Sequence, residues 1–382
     1  MYWTILGIAV VLLLAYCLLI LQYRQWFLHL QVYKPVKNTL PQTKFSVIIP
    51  ARNEAAGIRE CLRTVLQQNY PATLFEVIVI NDHSTDETET IIIQLQKEYS
   101  HLRLINLADH LQGKQINAYK KKAIELAIAE SSGNWIVTTD ADCKVTADWL
   151  LLFDNYIQQK DPVFIAAPVM FSSDGSFLAT FQVLDFISLQ SITAAAVYAG
   201  YHTMCNGANI AYRKDVFEEV GKFTGIDQIA SGDDMLLMYK IKKQYPQRLG
   251  YLFCRGSVVT TAPMTNWNSF INQRIRWASK ADKYDDRKIF WILALVYAVN
   301  AFLLILLVYS PFIKPGFSNW LSLIVAKTLI ELALMIPAAR FFQQEKTLWW
   351  FLFMQPLHII YTVTAGWLGK FGNYQWKGRT VQ

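Results

Sequence analysis

Apolar residues gather at the two ends of the chain, and the pattern between them is different. Residues 3–21 and 289–313 carry no charge, and two further apolar stretches cover 317–339 and 348–368. Each is close to the ~20 residues that cross a hydrocarbon core as a helix. From 44 to 282, short apolar runs alternate with amphipathic stretches. The runs at 45–49, 75–80, 102–107 and 135–139 predict buried strands, and 54–68, 85–99 and 112–130 predict helices. This alternation predicts βαβ units on a largely parallel sheet.

The first stretch lacks the basic leader and small-residue cleavage site of a signal peptide, so it reads as a retained anchor over 1–23. Arg24, Lys34 and Lys37 follow it. The positive-inside rule then places the middle of the chain, 44–282, in the cytoplasm. Residues 265–285 read as an interfacial helix, 289–369 as a membrane region of about three apolar segments, and 370–382 as a basic tail. Lys327 and Glu331, one helical turn apart, either pair on one face or mark a buried polar site. Four full spans would carry Lys377 and Arg379 outside, against the same rule, which points to one interfacial or re-entrant stretch.

Composition sharpens this picture in three respects. The chain is 53% hydrophobic, only 17% charged, and carries a net charge of +7. Its basic residues crowd beside the apolar stretches, which suits anionic lipid heads. No basic stripe with interleaved aromatics is present, so no nucleic-acid partner is expected. Five scattered cysteines without a C-x-x-C spacing indicate neither a disulfide frame nor a zinc site.

In open parallel sheets the ligand sits beyond the carboxyl ends of the strands. Three polar loops occupy those positions: "PARNEAAG" from Pro50, "NDHSTD" from Asn81, and "DADC" from Asp140. Ser84, Thr85 and Asp86 suit helix capping. Asp82 and Asp140, at successive strand ends on one rim, suit a ligand. No glycine-rich phosphate loop follows the first strand. A nucleoside diphosphate would need a cation there, and Mg²⁺ or Mn²⁺ takes carboxylates plus substrate phosphates. Asp140 and Asp142 fit that need, although an isolated D-x-D is as well explained by a solvated turn.

Taken in order, "SVIIPARNEAAGIRECLRTVLQQNYP", "EVIVINDHSTDET", "GKQINA", "TTDADC", "NGANIAYRKDVFEEVGKF", "SGDDMLLMYKI" and "QRIRW" resemble the family 2 glycosyltransferases of the inverting GT-A type. The resemblance spans about 230 residues. It implies a GT-A-like, mostly parallel α/β sheet flanked by helices, with transmembrane helices at both ends. It implies that Pro50, Arg52 and Glu54 line a base pocket, that Asp82 accepts from the base, and that Lys114 lies against the nucleotide. Asp140 would touch ribose or metal, and Asp142 would coordinate the metal on the diphosphate. Asp234 matches the general base, with Asp233 its neighbour; N-capping of the following helix is the plainer account of both. Arg276 would bind the diphosphate, with Trp277 and Gln273 on the acceptor side. Anchoring to lipid phosphates is the other reading of that helix. Asn206, Gly207 and Asn209 would floor the acceptor pocket, or simply form a turn. The family often has D-D-G-S where this chain has Asn81-Asp82-His83-Ser84.

The expected function is metal-assisted transfer from a nucleotide sugar, a UDP-sugar in this reading, to a hydroxyl of a lipid-linked or glycan acceptor. The expected place is the plasma (inner) membrane with the catalytic domain cytoplasmic. The rivals are a processive polysaccharide synthase of the same family and a non-catalytic membrane scaffold that binds a nucleotide sugar. One added sugar, a ladder of products, or binding without turnover separates the three.

Overall fold

The computed structural model describes the chain apart from residues 112, 114, 115, 230, 231, 281–285, 373, 377, 378 and 382. Helix α1 (Tyr2–His29) comes first. An alternating half follows: β1 (Phe45–Ala51), α2 (Ile58–Leu66), β2 (Phe75–Asn81), α3 (Thr88–Gln96), β3 (Leu102–Asn106), α4 (Leu107–Leu111), α5 (Tyr119–Glu130) and β4 (Trp135–Thr138). Then come α6 (Trp149–Lys160), β5 (Phe164–Ala166), β6 (Val169–Phe171), α7 (Phe177–Tyr198), β7 (Ile210–Arg213), α8 (Lys214–Glu219), α9 (Asp233–Gln244), β8 (Leu249–Tyr251) and β9 (Val259–Thr261). The chain closes with α10 (Trp267–Ala278), α11 (Arg287–Tyr309), α12 (Gly316–Phe342), α13 (Phe351–Phe371) and the strands β10 (Tyr374–Trp376) and β11 (Arg379–Val381).

The seven-stranded sheet runs β3-β2-β1-β4-β7-β5-β8. β1 pairs in parallel with both β2 and β4, so Phe45 stands beside Phe75 on one side and Trp135 on the other. The chain therefore builds outward from β1 on one side and returns to its other side at β4, and the crevice at that reversal is where α/β sheets bind ligands. β7 runs antiparallel to β4 and β5. The expected mostly parallel sheet is present. β1 and β2 read as unbroken apolar runs because both of their faces are covered by helices.

The three helices that the periodicity predicts in this half, α2, α3 and α5, each start later than expected. The carbonyl of Glu54 accepts from the amides of Gly57 and Ile58, a loop that delays α2 to Ile58. The helix expected over 112–130 is α5, from Tyr119. Gly133 is required where it lies: a Cβ there would stand 2.6 Å from the Ser46 amide nitrogen and 2.7 Å from the Phe45 carbonyl carbon. Both are backbone atoms that cannot rotate away. Gly133→Ala should therefore destabilise the fold by about 1–3 kcal/mol, read as a lowered thermal midpoint.

Among the described residues, five helices are long and apolar enough to cross a membrane: α1, α7, α11, α12 and α13, the third and fifth with adjoining turns. α7 corrects the reading of the middle as free of such segments. It lies inside the protein, against α1, α12 and β6. Its apolar length serves packing, and its buried residues include Gln182, Asp185, Gln190 and Thr193. Lys327 and Glu331 do pair, at 2.6 Å, in a buried cluster. Tyr16 of α1 donates to Glu331 at 2.6 Å, and Gln355 of α13 bonds both charged partners. This joins three helices around one internally neutralised charge pair, which limits the cost of placing ions in an apolar setting.

Candidate active site

The loops after β1 and β2 brace each other. Arg52 donates to the carbonyls of Asp82 and His83 at 2.9 and 3.3 Å, with its guanidinium 4.0 Å from the Asp82 carboxylate. Asp82 is buried, and its Oδ1 lies 2.9 Å from His83 Nδ1. Glu54 is held through its amide, which donates to Thr88 Oγ1 at 2.8 Å. Asp86 accepts from the amides of Ala55 and Thr88, and Ser84 accepts from the amide of Asn53. These bonds spend Asp86 and Ser84 on loop geometry, leaving Pro50, Arg52, Glu54 and Asp82 on a common cavity wall.

β4 delivers the D-x-D turn to the same wall. Asp142 is exposed, and Gly57 approaches it so closely that a Cβ would lie 3.4 Å from the Asp142 Cα. Asp140 is met by a residue that the sequence motifs do not single out. Lys120 Nζ, from the first turn of α5, lies 2.9 Å from Asp140 Oδ1 and 3.6 Å from Asp233 Oδ2. The two carboxylates hold the Lys120 ammonium charged, overcoming its burial. No short motif could reveal this link, because Asp140 and Asp233 lie 93 positions apart and meet only through the fold.

α9 presents the second acidic pair. Gly232 enters the helix with φ +75°, a left-handed conformation that glycine adopts without strain. Asp233 is buried on the Lys120 side. Asp234 turns to the cavity, accepting from the amides of Gly207 at 2.8 Å and Met235 at 2.7 Å. Burial, and then the neighbouring Asp233 charge, push the Asp234 carboxyl above the usual aspartate range. The two carboxylates are thus divided: one ion-paired, the other bound only by backbone donors.

Asn206 and Gly207 line the cavity beside Asp234. Asn209 does not. It is fully buried, donates to the carbonyls of Pro168 and Ser257, and accepts from Trp149 Nε1, so it ties the sheet together.

On α10, Gln273, Arg276 and Trp277 face the cavity. Arg274, between them, is the residue that fixes the helix. It is buried and ion-pairs with Asp185 of α7, its Nη2 and Nε donating at 2.7 and 3.0 Å. Tyr361 of α13 also bonds Asp185. The Arg274 guanidinium stacks 4.5 Å from the Phe270 ring centre and 4.3 Å from that of Trp277. Every sequence-derived candidate except Asn209 and Lys114, which lies outside the described residues, borders one cavity of about 1360 Å³. Its wall takes in Asp82 at the sheet rim as well as Tyr297 of α11 and Trp367 of α13.

No group of three or more His, Cys, Asp or Glu among the described residues forms a metal site by itself. Asp140 and Asp142 supply the hard oxygen donors of a site that substrate phosphates would complete, and this donor set fits Mg²⁺ or Mn²⁺.

A mostly parallel sheet with an acidic rim at its switch point thus faces an arginine-bearing helix across one cavity. The chain matches the model described as glycosyl transferase family 2 over residues 46–221 and that of glycosyl transferase family group 2 over residues 135–368. It belongs to the family 2 glycosyltransferases. It is 26% identical over 247 residues to a probable glycosyltransferase, YdaM, of Bacillus subtilis, covering 63% of this chain and 56% of that one. It is 29% identical over 198 residues to glycosyltransferase AglE of Haloferax volcanii, covering 52% of this chain and 60% of that one. The chain thus spans a little over half the length of these curated relatives. Among solved structures, a mannosyltransferase of Pyrobaculum calidifontis, in complex with GDP-Man and Mn²⁺, matches 96% of this chain and 99% of its own at a TM-score of 0.61 and 18% identity. That likeness establishes a shared fold.

Proposed function

We propose that the protein is a membrane-bound inverting glycosyltransferase. It moves a sugar from a nucleoside-diphosphate sugar, a UDP-sugar in our reading, to a hydroxyl of a lipid-linked acceptor. The observation that carries this reading is the continuity of the cavity. One end holds Arg52, Asp82, Asp140 and Asp142; the middle holds Asp234 and Arg276; the far end is walled by α1, α11 and α13. A donor at the polar end and an acceptor chain at the apolar end meet at Asp234. The cavity exceeds the ~300–1,000 Å³ of a site for one small ligand, as two substrates require. That the far end lies among helices long and apolar enough to span a bilayer supports an acceptor entering from the membrane, and the basic residues that follow the first apolar stretch support a cytoplasmic sheet domain.

In this reading Asp234 takes the acceptor hydroxyl proton, which its raised pKa and exposure to the cavity suit. Asp82 and Arg52 hold the base end. Arg276 binds the diphosphate, and Trp277 and Gln273 shape the acceptor side. A divalent ion held by Asp140 and Asp142 would supply charge stabilisation at the leaving diphosphate. The test is transfer by the purified full-length protein in lipid nanodiscs, with UDP- and GDP-sugars, lipid acceptors and Mn²⁺. Transfer should require both metal and lipid acceptor; transfer that persists undiminished in excess EDTA would overturn the metal role. Asp142→Ala should raise the Mn²⁺ concentration for half-maximal rate by roughly 10-fold or more, as loss of a charged ligand implies.

A further inference from the structure

Lys280 is a cation of the cavity wall that the reading above does not use. Lys280 follows α10 by two residues and lies four positions after Arg276, one helical turn on. Its side chain crosses Gly232 at the entrance to α9, where a Cβ on Gly232 would lie 3.6 Å from the Lys280 Cδ. It borders the same cavity as Asp234, Arg276 and Lys120. Its circumstances differ from those of Lys120. Lys120 sits on two carboxylates, whereas no carboxylate among the described residues lies within ion-pair distance of Lys280. A half-buried ammonium that lines a cavity beside a second cation, with no described carboxylate paired to it, favours an anion joining it there. Desolvation, with the Arg276 and Lys120 charges, outweighs the opposing pull of the Asp234 and Asp233 carboxylates and pushes the Lys280 ammonium down to about 8.

We propose that Lys280 is a second diphosphate-binding residue, closing with Arg276 on the phosphate oxygens of the donor. The assignment rests on the glycosyl-transfer reading of the site. It supplies what that reading lacks on the α10 side, since Arg276 alone would face a group bearing at least two negative charges. When the bond from the anomeric carbon to the phosphate oxygen breaks, its electron pair passes to that oxygen. The acceptor oxygen bonds the anomeric carbon, and the acceptor proton goes to Asp234. Lys280 and Arg276 then hold the added negative charge on the departing nucleoside diphosphate. Gly232 belongs to the same arrangement, because its bare backbone lets the lysine stem pass over the start of α9.

The experiment measures UDP and GDP binding, with Mn²⁺, to full-length wild type, Lys280→Met and Lys280→Arg in nanodiscs by titration calorimetry. Lys280→Met should bind the nucleotide roughly 10- to 100-fold more weakly, as expected for a lost charge-assisted contact, and Lys280→Arg should recover most of that loss. At pH 8 wild-type binding should take up protons, seen by comparing buffers of different ionisation enthalpy, and Lys280→Met should take up fewer. A lysine that merely packs against Gly232 would leave proton uptake unchanged. Equal nucleotide affinity in wild type and Lys280→Met overturns the proposal. So does a rise confined to the KM of the acceptor, which would place the cation on the acceptor. If wild type itself binds neither nucleotide, the glycosyl-transfer reading fails instead.

Discussion

Asp234→Asn should lower kcat by roughly 10²–10⁴-fold, the usual contribution of a general base, while donor affinity stays within about threefold. The fold should survive the change. Asp234 is anchored by two backbone amides, and asparagine keeps one acceptor for them. That costs about 1 kcal/mol for one lost bond. It also removes a carboxylate that burial and Asp233 already disfavour in its charged form. A folded-state pKa raised above the unfolded one means that ionisation opposes folding, so this residue's penalty appears as pH rises through the usual aspartate range and beyond. The exchange is therefore close to neutral for stability and severe for turnover. The acid limb of the kcat/KM profile should accordingly lie above the ordinary aspartate pKa. Unchanged turnover in a folded Asp234→Asn would falsify the assignment. Asp233→Asn offers the contrast: it releases Lys120 from one of its two carboxylates, so it should disturb donor binding more than proton transfer.

The second large effect concerns stability. Asp185→Ala should destabilise the protein by about 3–5 kcal/mol, because it leaves the buried Arg274 guanidinium without its counter-charge. The apparent thermal midpoint in detergent reports this directly. The double change Asp185→Leu with Arg274→Met should recover much of the loss, since apolar replacements of a buried pair are often near neutral. It should still impair transfer. Arg274 stacks on Trp277 and bonds Gln273, so the pair sets where α10 presents its cavity-facing side chains. Equal destabilisation by the single and double changes would show that packing, and not charge, holds α10 to α7.

The first half of the sheet is legible in the sequence because β1, β2 and β4 are apolar runs covered on both faces and followed at once by polar loops. The second half offers no such signal. β5 and β8, like β6 and β9 of a separate two-stranded sheet, have three residues each, too few for any periodicity to register. α7 escapes for the opposite reason: it is apolar nearly all round, and its polar exceptions Asp185 and Gln190 make sense only once their partners are known. The site follows the same division. Residues in contiguous motifs, such as Asp140, Asp142 and Asp234, can be picked out as candidates from one chain. Lys120, Arg274 and Lys280 act through partners that only the folded chain brings near. Asn209 shows the reverse case, a residue inside a recognisable motif whose hydrogen-bonding capacity is directed at the scaffold.

α1 supplies Tyr16, Leu19, Ile20 and Tyr23 to the cavity wall, and its Tyr16 completes the Lys327–Glu331 cluster. Such a helix is not an exchangeable tether. A chain trimmed to start at Phe45 would lose one wall of the cavity, and the Lys327–Glu331 pair would lose the Tyr16 hydroxyl that covers it. Grafting a foreign membrane segment onto the sheet domain would restore attachment to the bilayer without restoring either. If the acceptor enters as proposed, solubilising the catalytic half by truncation and preserving its acceptor preference are incompatible aims.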